Sequence, residues 1–289
     1  MQKSNPKKKI FKKQSQNQPG MEYEMDPLPQ FDDGFAGSNK LLNKKCIITG
    51  GDSGIGRAVA IAFAKQGADV AIIYLKSEKK DAAITANYIK QKFQKVCLTI
   101  PADISKERNC EIAIQKIFKV FSVVDVLVNN AAVQYPVDDV LKITTKQLIE
   151  TFSVNIFAMF WITKLVLPFM KKGSSIINTT SVTAYRGSAG LVYYSATKGA
   201  IVSFTRSLSA QLIDKGIRVN GVAPGPVWTP LIPASFPPSK VEVFGTDSPM
   251  KRPAQPSEIA PAYVFLASDD ASYISGQFIH VNGGEIVNA

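Results

Sequence analysis

The sequence predicts an α/β protein: one doubly wound domain with a seven-stranded parallel sheet and helices on both faces. Three observations carry this. From about Lys40 onward short apolar segments alternate with amphipathic helical segments. The short segments are apolar throughout rather than at every second residue, which suits strands buried on both faces. The first of them runs into a glycine-rich turn that opens a helix. No break in composition follows residue 40, so residues 40–289 read as one domain.

The elements follow in order. Cys46 to Ile48 reads as the first strand, and Gly54 to Gln66 as a helix with Ile55, Val59, Ala60 and Phe63 on one face. Val70 to Tyr74 is the second strand, Lys79 to Phe93 the second helix and Val96 to Ile100 the third strand. A helix over Ser105 to Val120 begins with a serine able to cap it. Val124 to Val128 is the fourth strand, and a long helix spans roughly Thr145 to Met170. Ser175 to Thr179 is the fifth strand, a helix from Ser195 to about Leu212 follows, and Ile217 to Val222 is the sixth strand. A helix near Ser257 to Ser268 and a strand from Gln277 to Val281 complete the series. Between them lies Val227 to Lys251, whose prolines forbid a long helix and whose aromatic groups want cover. It is expected to be a mobile lid.

Residues 1–39 are different, and are expected to form a disordered or extended arm. Residues 1–20 hold six lysines and no acid, so more than half of the net charge of +11 belongs to this tail. Its composition predicts disorder. Aromatic interleaving stops at Phe11, which argues against nucleic acid as a partner. Met21 to Asn39 mixes acids, prolines and aromatics and is sticky enough to lie across the domain or a neighbouring subunit.

Other function classes are set aside by composition. Hydrophobic content of 45% and charged content of 20% are those of a globular protein. No apolar run reaches the roughly 18 residues that span a membrane, so no membrane association and a cytoplasmic location are expected. Cys46, Cys97 and Cys110 form no metal-ligand spacing, and His280 sits in an apolar strand segment, so no metal site is expected.

Two motifs carry chemistry. Gly50, Gly54 and Gly56 lie in the turn Thr49 to Gly56. Without Cβ atoms they let backbone approach a pyrophosphate, and the helix start offers free N–H groups and a positive dipole. Such a turn between strand and helix marks a Rossmann-type dinucleotide site. Tyr194 and Lys198 stand four residues apart on one helix face. A nearby ammonium favours the phenolate and draws a phenol toward proton-transfer work, although such pairs also occur on solvated helix faces.

Thr49 to Gly56, Asn129-Asn130-Ala131-Ala132, Asn155, Ser181, Tyr194 to Lys198 and Pro224-Gly225 fall in one register. In order and spacing they resemble the short-chain dehydrogenase/reductase family, from about residue 44 to the end. The chain is most similar to a bacterial branch with an N-terminal extension, glucose dehydrogenase-like or general-stress oxidoreductases. The resemblance implies NAD(P)-dependent hydride transfer between nicotinamide and a carbonyl or secondary alcohol. It implies Tyr194 as general acid/base, Lys198 as the group that tunes Tyr194 and holds the nicotinamide ribose, and Ser181 as the group that orients the carbonyl. Asn155 matches an asparagine whose backbone holds a proton-relay water, and Asn129 one that supports the sheet.

The resemblance also implies a cofactor site. It comprises Gly50, Asp52, Ser53, Gly54, Ile55 and Gly56 in the turn, and Tyr74, Leu75 and Lys76 after the second strand. It continues through Asp103, Ile104, Asn130, Ala131 and Ala132 to Tyr194, Lys198, Pro224, Gly225, Val227 and Thr229. Asp103 matches an aspartate that bonds adenine. NAD-preferring members carry an acid at the end of the second strand; here Tyr74, Leu75 and Lys76 stand there. No acid repels a 2′-phosphate and no arginine attracts one, so NAD and NADP both stay open. The substrate pocket is expected to use Ser181, Thr183, Gln134, Tyr185, Tyr194 and the lid from Trp228 to Phe244. A small-molecule substrate and a homotetramer are implied. The same fold also serves as a cofactor-binding scaffold without catalysis, an alternative that the intact Ser/Tyr/Lys set argues against.

Overall fold

The computed structural model describes residues 7–285. Seven parallel strands form one sheet in the order β3-β2-β1-β4-β5-β6-β7. They are β1 (Lys45–Thr49), β2 (Asp69–Tyr74), β3 (Cys97–Pro101), β4 (Val126–Asn129), β5 (Ser175–Thr179), β6 (Arg218–Pro224) and β7 (Phe278–Val281). The helices are α1 (Gly54–Lys65), α2 (Lys79–Phe93), α3 (Glu107–Phe118), α4 (Thr145–Phe152), α5 (Ala158–Val166), α6 (Thr183–Arg186), α7 (Val192–Leu212), α8 (Leu231–Ser235), α9 (Pro238–Val241) and α10 (Pro256–Ala267). The doubly wound expectation holds.

Two cores lie on the two faces of the sheet, which is why the strands carry no polar alternation. Cys46 and Ile48 face a core shared with α1 and α10, while Ile47 between them faces one shared with α3, α5 and α7. Strand order reverses between β1 and β4, and the carboxyl ends of these two strands open the crevice where such folds bind ligands. Thr49 closes that point: its Oγ1 accepts from the backbone N–H of Asn130 (2.9 Å) and Ala131 (3.0 Å).

Some boundaries differ from expectation. The helix after β3 is capped at Lys106, because Ser105 is occupied: its hydroxyl donates to Asp103 Oδ1 at 2.7 Å. The long helix is not regular. A π-helical turn, Ser153–Phe157, separates α4 from α5. By length and composition Thr145–Phe169 is apolar enough to cross a membrane. Here Ala158, Ile162 and Val166 of this helix are buried in the α3/α5/α7 core against the sheet.

The arm is the largest departure. Disorder was expected for residues 1–20, yet residues 7–20 pack against the lid. Ile10 and Phe11 donate backbone N–H groups to Glu242 O, and Gln16 does so to Pro233 O. The Phe11 ring stacks on Trp228 at 3.8 Å, and the Trp228 indole donates to Pro27 O at 2.9 Å. Met25 fills the same apolar cluster with Ile232 and Val241. Farther on, the carboxylate of Glu22, which is 1% exposed, accepts from Gly54 N–H and pairs with Arg57. Met21 to Asn39 lies across the domain, and residues 1–6 fall outside the described range.

The arm therefore covers apolar lid surface that would otherwise face water. Deleting residues 1–20 is expected to make the lid, about residues 227–251, a preferred site of limited proteolysis and to lower the melting temperature. Phe11→Ala alone should cost about 2 kcal/mol, the scale of burying one aromatic side chain. Unchanged cleavage and melting in both variants would contradict the strapped arrangement.

Candidate active site

A cleft of about 1040 Å³ opens at the carboxyl ends of the strands. It is large enough for a dinucleotide and a small substrate together. One end is built by the glycine turn. Gly50 and Gly54 have positive φ, +64° and +52°. A Cβ on Gly56 would lie 1.8 Å from Gly50 O, so only glycine lets α1 start this close to β1. Gly56 thus shapes the cradle from behind and does not line the cleft. Gly50, Asp52, Ser53, Gly54 and Ile55 do line it, as do Tyr74, Leu75, Asp103 and Ile104. Asn130, Ala131, Ala132, Pro224, Gly225, Val227 and Thr229 line it farther along. Lys76, expected among them, is exposed on a 3-10 turn outside the cleft wall.

The other end gathers Ser181, Tyr194 and Lys198. Ser181 follows β5, and Tyr194 and Lys198 lie on the first turns of α7. All three are buried and line the cleft. Lys198 Nζ donates to Thr179 O at 3.0 Å and lies 5.4 Å from the Tyr194 ring centre. Burial pulls the Lys198 ammonium down to about 7. Burial pushes the Tyr194 phenol up to about 12, and a hydrogen bond with Ser181 opposes that rise. The expected lowering of Tyr194 by Lys198 is thus not what the chain alone produces. Desolvation is the leading cause of both shifts, and neither group contributes to the other's.

Asn155 sits in the π-helical turn, below the cleft rather than on its wall. Its amide donates to Val133 O (3.0 Å) and Thr197 Oγ1 (3.1 Å), and its oxygen accepts from Val133 N–H (2.9 Å). It locks the strand-following loop and α7 into one frame. Asn129 supports the sheet: its amide donates to Asn178 Oδ1 at 2.9 Å.

Of the expected substrate residues, Gln134 and Thr183 line the cleft, and the Thr183 hydroxyl is buried without a partner. Tyr185 does not. Its ring turns toward β7, edge-on to Phe278 and to His280 at 4.6 Å, because the short α6 presents that face to the sheet edge. Trp228 is fully buried under the arm, so Leu231, Ile232, Phe236 and Phe244 form the lid's inner wall instead. Sequence reasoning missed Gln18, Glu78 and Glu150, which also line the cleft. For Glu78 a signal exists: it stands three residues after Leu75 and its carboxylate accepts from Leu75 N–H at 3.0 Å.

The cradle fits a dinucleotide, since side-chain-free backbone meets a helix start beside an unpartnered buried carboxyl oxygen, Asp52 Oδ2. A family model described as "Enoyl-(Acyl carrier protein) reductase" matches residues 50–285. The chain belongs to the short-chain dehydrogenase/reductase family. It is 52% identical over 278 residues to "Glucose and ribitol dehydrogenase" of Daucus carota, covering 94% of this chain and 96% of that one. It is 52% identical over 284 residues to "NADPH-dependent aldehyde reductase 1, chloroplastic" of Arabidopsis thaliana, covering 96% and 99%. Among solved structures, the NADH complex of 3-ketoacyl-(acyl-carrier-protein) reductase from Brucella melitensis matches with TM-score 0.75 at 32% identity, covering 84% and 98%. This short-chain dehydrogenase/reductase is an NAD(P)-dependent oxidoreductase acting on a small-molecule substrate.

Proposed function

We propose that the enzyme interconverts a small hydroxylated carbonyl compound and its alcohol, with Tyr194 exchanging the proton. The observation that carries this is the phenol itself: buried, on the cleft wall with Ser181, and held protonated near neutrality. A bound nicotinamide supplies or accepts the hydride. Tyr194 then delivers its proton to the carbonyl oxygen in reduction and recovers it in oxidation. Ser181 holds that oxygen beside the phenol. Lys198, anchored on Thr179 O, is placed to bond the nicotinamide ribose and to return charge to Tyr194. Asn155 positions the α7 frame through Thr197.

Gln134, Thr183, Glu150 and Arg186 bring polar groups to a cleft that the lid lines with Leu231, Ile232, Phe236 and Phe244. That mixture suits a small substrate that carries hydroxyl groups. The names of the aldehyde reductase and the glucose and ribitol dehydrogenase support the same reading. A screen of short aldehydes, hydroxyketones, sugars and polyols, followed at the nicotinamide absorbance band, tests it. Turnover of hydroxylated compounds is expected. Tight nucleotide binding with no turnover anywhere in the screen would favour a non-catalytic scaffold.

The chain is further proposed to assemble as a homotetramer in the cytoplasm. Phe157 and Phe160, 43% and 51% exposed on the π-helical turn and α5, and the half-buried Phe204 of α7 form an apolar face that a second subunit would cover. Three unpaired cysteines suit a reducing compartment. Light scattering that returned a monomer would refute the assembly.

A further inference from the structure

The N-terminal arm reaches the cleft as well as the outer face of the lid. Gln18, Pro19 and Gly20 all line the cleft wall. They project on a loop that the arm closes on itself: the Gln16 side chain accepts from Met21 N–H at 2.6 Å and donates to Met21 O at 3.1 Å. The base of this loop is held to the lid, because Gln16 N–H donates to Pro233 O at 2.9 Å. Gly20 lets the loop come close. A Cβ there would lie 2.3 Å from Pro230 O and 3.0 Å from Ala234 Cβ, so any side chain would push the arm off α8.

The Gln18 side chain joins three segments at one point. Its amide nitrogen donates to Gln134 O and reaches Ser235 Oγ at 3.4 Å, and Ser235 Oγ lies 3.5 Å from the same carbonyl. Gln134 is in the loop after β4 and is 4% exposed, and Ser235 ends α8. This point lies at the catalytic end of the cleft. Val133, next to Gln134, is bonded through Asn155 to Thr197, whose hydroxyl donates to Tyr194 O at 2.7 Å. The loop and the lid thus approach each other on the substrate side, and the arm supplies the side chain that spans them. The match to the family model starts at residue 50, beyond the arm.

We infer that Gln18 is a specificity-determining residue: seated on Gln134 and Ser235, it closes the cleft between loop and lid and restricts substrates to short hydroxylated carbonyl compounds. An amide held at both neighbours cannot swing aside for a longer chain without giving up its hydrogen bonds. Truncating it leaves a gap in the wall that additional carbon atoms can enter. The assignment rests on the proposed carbonyl reduction and gives its size selection to a residue of the arm.

Reduction of glyceraldehyde and of a series of longer 2-hydroxyaldehydes by the full chain, followed at the nicotinamide absorbance band, tests it. The readout is the ratio of kcat/KM for a long member to that for a short one, which loss of folded enzyme does not alter. The wild type is expected to favour the short members. Gln18→Ala should raise the ratio by about 10-fold, the scale at which a pocket wall senses a methylene group. Gly20→Ala should raise it too, by lifting the arm from Pro230 with Gln18 intact. Gln18 is half-buried, and Gln16 and Phe11 still anchor the arm, so Gln18→Ala keeps the test open should Gly20→Ala fail to fold. A wild type that reduces long and short members equally well would overturn the assignment. So would a Gln18→Ala variant in which kcat/KM changes by one factor for every member. Turnover of no member with either NADH or NADPH would refute the proposed function itself, and this inference with it.

Discussion

Tyr194→Phe should lower turnover by about 10²–10⁴-fold, the contribution of a positioned proton donor, and leave cofactor binding essentially unchanged. The substitution removes one hydroxyl from a side chain that is already 9% exposed, so the packing of α7 survives. What is lost is the proton that must reach the substrate oxygen as the hydride arrives. The direction of the pH dependence follows from the same group. Burial places the phenol at about 12. Reduction uses the protonated form, so its rate should be flat across the neutral range. Oxidation uses the phenolate, so its rate should climb with pH throughout that range. Rate profiles in both directions, with titration of the variant against the nucleotide, check all three statements. A phenylalanine variant that kept most of its rate would move the proton transfer to another residue.

The legible parts of this chain are those where local sequence and tertiary demand agree. Ser175–Thr179 and Lys79–Phe93 match expectation at both ends, because an apolar strand and an amphipathic helix need no distant partner to be recognised. The glycine turn and the Tyr/Lys pair were legible for a related reason: each packs its chemistry into one short stretch. The arm was not. Its order comes from Pro233 O, Glu242 O and Trp228, which lie far along the chain and accept or stack on residues with no periodicity of their own. Glu22 looks like one more acid in a polar arm until it meets Arg57, 35 residues away, and the N–H of Gly54. Tyr185 failed as a pocket residue because the sheet edge at Phe278 and His280 captured its ring. The π-helical turn at Asn155 has no sequence signature; it shows only where the amide bonds both Val133 and Thr197.

Lys198→Met should abolish turnover and weaken cofactor binding, yet make the cofactor-free protein more stable. The unusual half of this expectation is the second. Lys198 is 2% exposed, and among the described residues its only hydrogen-bond acceptor is the carbonyl of Thr179. No carboxylate among the described residues pairs with it, so the ammonium is held in the fold at a cost that shows as a pKa drawn from 10.5 down to about 7. A group that binds its proton less tightly when folded destabilises the fold fully below the lower value. That cost fades as pH rises toward the upper value, because the unfolded chain still carries the proton and the folded chain no longer does. Methionine fills nearly the same volume without a charge. After the lost bond to Thr179 is counted, the gain near pH 7 is on the order of 3 kcal/mol, or roughly 5–10 °C in melting temperature. The advantage should be greatest below about pH 7 and vanish toward 10.5. Melting curves of both proteins over that range measure it. A methionine variant less stable than the wild type at every pH would show that the buried ammonium is not a cost to the fold. The expected outcome would show the opposite: this lysine is kept at the expense of stability, as a residue retained for chemistry is.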